Sequence, residues 1–273
     1  MAPDVVTMPE SLRVELIRQH LWAEAPASHI YLFSEATSTS DILRKLAKDG
    51  AREGTVVIAE TQSAARGRAG KRWFSPPGVN LYASVLLRPE IPITAVPVFC
   101  FIASLALTES IWLERLPATI KWPNDILVEG KKVGGTLVEC VSRGDRVDSV
   151  ILGVGVNLNV RREALEGALG AEARRATSLG EVAGREIERN RFTAMFLNLL
   201  GKWFQIYRTY GPEPVLYAWR ERDVLTGRLA VIPEERGDTP HRVLGVNHAG
   251  HLVVEDPTGA VREVLTGEVR LLG

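Results

Sequence analysis

The sequence predicts a mixed α+β fold, a sheet with helices packed on it, followed by a small β-rich unit. Three observations predict it. Up to residue 222, short apolar runs such as Thr55–Glu60 alternate with segments of helical periodicity such as Asn190–Tyr210, the texture of strands and helices that share a core. From Asp223 onward the texture changes to the short runs Arg228–Ile232, His241–Val246, His251–Glu255, Val261–Leu265 and Val269–Leu272, broken by Gly, Pro, Asp and Asn, a spacing typical of a small barrel. The chain's 273 residues suffice to bury one sizeable core and hold a smaller domain beside it. We therefore divide it into domains 1–222 and 223–273.

Each element has its own signal. Glu10–Trp22 places Leu12, Leu16 and Ile17 on one helical face, which Leu21 continues. Ile30–Phe33 reads as a strand. Ser38-Thr39-Ser40-Asp41 opens a helix that ends at Gly50, and Ser38 with Asp41 has the spacing of a capping box. The same helix N-terminus, with free N–H groups and hydroxyls, also suits a polar ligand group. Thr55–Glu60 is near-continuously apolar, as in a strand buried on both faces, and Gln62 sits at its end. Asn80–Leu87 is a further strand and Thr94–Arg115 a long packed helix. Val147–Asn159 is a strand ending in Gly153-Val154-Gly155-Val156-Asn157; no third glycine opens a helix there, which excludes a dinucleotide-binding turn. Thr177–Gly184 repeats the capping pattern at Ser178 and Glu181. In Asn190–Tyr210 the stripe from Phe192 to Tyr207 reads as core. Gly211-Pro212 stops that helix, and a short one follows to Arg220.

Composition narrows the function. Lys plus Arg and Asp plus Glu number 33 each, giving zero formal net charge, which argues against a broad electrostatic surface for nucleic acid. Cys100 and Cys140 each lie in an apolar run without metal-ligand spacing, as expected of buried free thiols in a reducing compartment. We read no signal peptide and no apolar run near the ~18–20 residues of a membrane span. The expected location is cytoplasmic.

Two stretches look like chemistry. In Lys121–Glu139, KWPNDILVEGKKVGGTLVE, Pro123 holds Trp122 extended and places Asn124 and Asp125 where a strand bends. A carboxylate there suits a divalent metal. Ile126–Val128 and Val133–Val138 then form strands around a turn at Glu129–Gly130, sending Lys131 and Lys132 back towards Lys121 and Asp125, with alternation allowing only one lysine to face them. An ordinary charged hairpin shows the same pattern. In Glu60–Ser75, Arg66, Gly67, Arg68, Gly70, Lys71 and Arg72 form a dense cationic segment. Its glycines let N–H groups approach an anion and its arginines supply forked donors for phosphate or carboxylate.

Taken together these residues resemble the biotin protein ligase family, also called biotin-[acetyl-CoA-carboxylase] ligase. The family's G-R-G-R-x-G loop and following tryptophan match Ala65–Gly70 and Trp73; K-W-P-N-D matches Lys121–Asp125; its lysine, glycine and terminal glutamate match Lys132, Gly135 and Glu139; its G-[IVA]-G-[IV]-N matches Gly153–Asn157. The segment [DE]-x-x-S-T-[NMS], which contacts biotin in the family, matches Glu35–Ser40. Ala65 stands where the family usually has glycine; if that backbone needs positive φ, alanine costs roughly 1 kcal/mol.

The resemblance implies a mixed-sheet catalytic domain of the biotin/lipoate ligase type with a C-terminal SH3-like β-barrel. It implies ATP-dependent joining of biotin to AMP, then transfer to a lysine of a biotin carboxyl carrier domain, with Mg²⁺ present. Lys132 would bridge the biotin carboxylate and α-phosphate, Arg66 and Arg68 would clamp them, Lys121 would assist the polyphosphate and Asp125 would hold Mg²⁺. Biotin would also meet Ser38, Thr39, Ser40, Gln62, Gly67 and Gly135. ATP would also meet Gly70, Trp73, Asn124 and Asn157. The Arg-, Gly- and Ala-containing loop is expected to order over bound ligand as a lid. Some members carry an N-terminal DNA-binding module; the segment ahead of Ile30 resembles the monofunctional members, as a monomer or homodimer with no DNA or membrane partner. A lipoate or octanoyl ligase of the same fold and a nucleic-acid-binding module are the rival readings.

Overall fold

The computed structural model describes residues 11–232 and 239–272. In chain order the main part comprises α1 (Val14–Gln19), β1 (His29–Phe33), α2 (Thr39–Lys48), β2 (Thr55–Ala59), β3 (Leu81–Leu87), α3 (Pro97–Leu113), β4 (Ala118–Lys121), β5 (Asp125–Val128), β6 (Lys131–Arg143), β7 (Arg146–Val156), α4 (Arg162–Leu169), α5 (Leu179–Ala183), α6 (Arg189–Tyr210) and α7 (Glu213–Arg220). The C-terminal part comprises β8 (Leu229–Val231), β9 (Pro240–Val246), β10 (Leu252–Glu255), β11 (Val261–Val264) and β12 (Arg270–Leu271).

The main sheet has the order β1-β2-β3-β7-β6-β5-β4. Its first pair is parallel and the others antiparallel, the mixed sheet that was expected. Every residue of β2 and β3 is buried, which explains the unbroken apolar run of β2; β3 is likewise buried on both faces rather than alternating. Alternate residues serve different layers: Val57, Leu86 and Ile151 pack with Leu43 and Ala47 of α2, whereas Val56, Ile58 and Val85 join a larger core containing α3 and α6. The C-terminal strands form a separate antiparallel sheet, β11-β10-β9-β8-β12.

α3 corrects one expectation. Ile93–Leu113 has the length and mean hydropathy, 1.8, of a membrane-spanning segment, although the sequence reading found no such run. Here it is a core helix, apolar all round because it lies against both the sheet and α6, where Phe99 meets Tyr207 edge-on at 5.3 Å. α1 is also shorter than expected, and Glu10 lies outside the described residues. Cys100 and Cys140 are free but half-buried rather than fully buried; burial pushes both thiols up.

The segment between the two sheets is not a loose linker. Ile120 of β4 donates its N–H to Arg222 O and accepts from Val224 N, so residues 222–224 cover the edge of the main sheet. Gly250 then approaches α3 so closely that a Cβ would lie 2.9 Å from Phe101. The buried indole N–H of Trp122 donates to Gly250 O at 3.0 Å.

Candidate active site

Strand register gathers the chemistry on one face of the main sheet. Lys121, Asp125, Gly135, Gly155 and Tyr82 are successive Cα partners across β4, β5, β6, β7 and β3. Two residues along, Leu137, Gly153 and Ser84 form the next row. Paired residues share a face, so the glycines form a floor of bare backbone between a charged end on β4–β6 and a hydroxyl end on β3.

A β-bulge selects the lysine at the charged end. From Asp125↔Gly135 and Ile126↔Gly134 the register shifts, so that Leu127 faces Lys132. Without the extra residue, alternation would put Lys131 on the face of Asp125 and turn Lys132 away. With it, Lys132 Nζ forms an ion pair with Asp125 Oδ1, while Lys131 is exposed. Glu129 and Gly130 make the preceding turn with φ of 51° and 74°, the paired positive φ of a tight hairpin. Lys121 lies opposite Asp125 across β4 and β5. Burial pushes its ammonium below the ordinary value, Lys132 adding to the effect and Asp125 opposing it.

The basic segment is itself a small hairpin. Trp73 N donates to Ala65 O at 3.1 Å, Gly67 N donates to Lys71 O at 2.6 Å, and Arg66 bridges Arg72 between them. The Arg68 guanidinium lies 5.9 Å from the centre of the Trp122 ring and donates to Thr266 Oγ1 at 2.9 Å. Lys71 pairs with Glu268. The hairpin is thereby tied to the C-terminal unit, and the lysine holds the Glu268 carboxyl below its usual range.

Trp73 lies directly on the floor: a Cβ at Gly155 would come within 2.7 Å of its indole, and Lys132 Nζ sits 5.5 Å from its ring centre. Its Nε1 is buried without a hydrogen-bond partner. A cavity of about 490 Å³ opens beside it, lined by Gln62, Ala65, Arg72, Phe74 and Leu169 among others.

At the hydroxyl end, Thr39 Oγ1 and Ser40 Oγ meet Ser84 Oγ at 2.8 and 3.0 Å. Gln62 Oε1 accepts from Thr39 N at 2.8 Å and Thr39 Oγ1 at 3.2 Å. The helix cap therefore comes from Gln62, not from the expected capping box, since Ser38 makes no side-chain cap bond. Asp41 instead accepts two bonds from Arg66, at 2.6 and 2.7 Å, and one from Arg44 at 2.6 Å. Arg44 also pairs with Glu139 at 2.7 Å, with Arg66 3.8 Å from the same oxygen. Arg66, expected among the substrate clamps, is thus engaged by protein carboxylates, and it holds the Asp41 carboxyl below the usual range.

With this geometry in hand, the comparisons are specific. Residues 32–157 match the model of the biotin/lipoate A/B protein ligase family. The bifunctional ligase/repressor BirA of Bacillus subtilis is 31% identical over 98% of this chain and 81% of its own length. The chain belongs to the biotin/lipoate A/B protein ligase family. Another relative, the biotin--[acetyl-CoA-carboxylase] ligase of Paracoccus denitrificans, is 32% identical over 74% of this chain and 85% of its own. Among solved structures, the biotin protein ligase of Aquifex aeolicus in complex with biotin and ATP superposes with a TM-score of 0.74 at 25% identity, covering 90% of this chain and 99% of that one.

Against the family pattern, several side chains do structural work. Asn124 Nδ2 donates to Thr136 O at 2.6 Å, holding the β4–β5 turn against β6. Asn157 Nδ2 donates to Thr177 O at 3.1 Å, and Thr177 N donates to Lys132 O at 3.0 Å, so Asn157 secures the segment alongside Lys132. The alanine with positive φ is Ala69, at 51°, followed by Gly70 at 72°, not the buried Ala65. Sequence reasoning missed Ser84 and Trp122 as parts of the site and gave Asp41 only a capping role. Ser84 had a signal, a hydroxyl inside an otherwise apolar strand; the contacts of Trp122 and Asp41 depend on distant segments.

Proposed function

We propose that the chain ligates biotin to a lysine of a biotin carboxyl carrier protein through biotinyl-5'-AMP. The observation that carries this reading is the glycine floor, with Lys132, Lys121 and Arg68 gathered at one end and neutral hydroxyl and amide groups at the other. A neutral ureido ring suits the hydroxyl end, where Ser38, Thr39, Ser40 and Gln62 lie. The biotin carboxylate and the triphosphate, both anions, suit the charged end, because cations placed there in advance stabilise the charge that develops as they approach.

In the first step a carboxylate oxygen attacks the α-phosphorus, the bond to the β-phosphate oxygen breaks, and pyrophosphate leaves. Lys132 bridges the two reacting groups, and Arg68 and Lys121 take the phosphate charge. In the second step a neutral lysine amine of the carrier attacks the acyl carbon, the bond from that carbon to the phosphate oxygen breaks, AMP departs and the amine nitrogen gives one proton to water. Trp73 offers its indole face to the adenine. Asp125, an oxygen donor at the charged end beside Lys132, would hold Mg²⁺ together with phosphate oxygens, where the ion would offset phosphate charge. We place the catalytic domain at 1–222 and the C-terminal unit at 223–273, in the cytoplasm.

The test is pyrophosphate release from ATP by purified protein with Mg²⁺, comparing biotin, lipoate and octanoate. Release that requires biotin supports the proposal. Release with lipoate or octanoate instead moves the chain to the other branch of the family, and release with none of them ends the ligase reading.

A further inference from the structure

The charge cluster around Arg66 has no role in the chemistry above. Asp41, Arg44, Arg66 and Glu139 join three separate parts of the fold: α2, the basic hairpin and β6. A lone exposed ion pair contributes little. This one differs, because Arg66 presents both terminal nitrogens to both Asp41 oxygens, and Arg44 spans Asp41 and Glu139. Such a two-point contact fixes orientation as well as distance.

Its position gives that orientation a use. Asp41 stands in the first turn of α2, next to Ser40 and two residues after Thr39, whose hydroxyls form the polar pocket. The opposite side of the hairpin is tied to Thr266 and Glu268. The hairpin thus crosses the site from α2 to the C-terminal unit, secured at each side by ionic or polar contacts.

Resting on the function proposed above, we propose that Asp41 is a positioning residue: by holding Arg66 it keeps the basic hairpin closed over the hydroxyl pocket and retains the acyl-adenylate until the carrier lysine arrives. Asp41 takes no part in adenylation, since its carboxylate is occupied by two guanidinium groups. Its loss opens the site to water and lets the mixed anhydride escape.

The experiment compares wild type with Asp41→Asn, a near-isosteric change that removes the charge. Two quantities are measured without acceptor: the single-turnover rate of biotin-dependent pyrophosphate release, and the rate at which free biotinyl-adenylate appears in solution. The expected result is release within about twofold of wild type, with adenylate escape raised about tenfold, the scale of one lost charge-assisted contact. Arg66→Gln, which alters the hairpin side of the contact, should also leak, and the exchanged pair Asp41→Arg with Arg66→Asp should recover part of the retention. A purely structural role would lower the melting temperature without raising escape per adenylate formed. Escape equal to wild type in both Asp41→Asn and Arg66→Gln overturns the positioning role. Absence of biotin-dependent release in wild type overturns the ligase reading instead, so the two failures are distinct.

Discussion

The hydroxyl end and the charged end of the glycine floor share the same sheet but are held together in opposite ways. Thr39, Ser40, Ser84 and Gln62 are largely buried neutral groups that satisfy one another at 2.8–3.2 Å. Such a network costs little to keep and is already shaped for a neutral polar ligand. At the charged end, Lys121, Lys132, Arg68 and Lys71 gather around Asp125 and Glu268, a cation excess. Burial lowers the affinity of Lys121 for a proton, and the neighbouring Lys132 adds to that while Asp125 opposes it. Binding specificity and chemical activation thus belong to different parts of one surface: one end is at rest without substrate, the other gains most when anions arrive.

If this division holds, Lys132→Ala gives the largest effect. It removes the cation proposed to bridge the reacting groups, and biotin-dependent pyrophosphate release should fall by about 10²-fold or more, measured as turnover at saturating biotin and ATP. Thr39→Val acts at the other end. It keeps the shape but removes a donor to Gln62 and one of the two partners of Ser84, so KM for biotin should rise about tenfold with kcat changed far less. An equal fall in kcat would erase the distinction between the ends.

Two further changes probe the floor and the hairpin. Gly155→Ala places a methyl 2.7 Å from the Trp73 indole and should cost about 1–3 kcal/mol by overpacking, seen as a lower melting temperature. Trp73→Ala in the same chain should recover part of it. Ala69→Gly is the smallest effect: at φ 51° it should stabilise by up to about 1 kcal/mol, raising the melting temperature by about 2 °C. No rise would mean that the turn is not strained.

Much of the fold was legible because burial writes itself into local pattern. The near-continuous apolar run of β2 and the stripe of α6 identify themselves. So does the Ser178 cap, whose Oγ accepts from Glu181 N. The first capping box was misread because Gln62, distant in sequence, caps the helix instead through Thr39 N, and Arg66 takes the Asp41 carboxylate. α3 reads as a packed helix, yet its apolar length is understated: Ile93–Leu113 also meets the length and hydropathy of a span, because apolarity reports burial without saying whether lipid or protein provides it.

The sequence by itself determined which elements form and which residue types the site contains, since periodicity, turn chemistry and the paired glycines are local properties. Tertiary structure alone decided how those residues are used. Alternation from Gly135 points Lys131 at the site, and only the bulge opposite Leu127 substitutes Lys132. Arg66 and Arg68 are separated by one residue, yet the first turns to Asp41 and the second to Trp122 and Thr266. Register and long-range partners are set by the free energy of the whole packed sheet, where shifting a strand by one residue exchanges its two faces, and no window of sequence contains that sum.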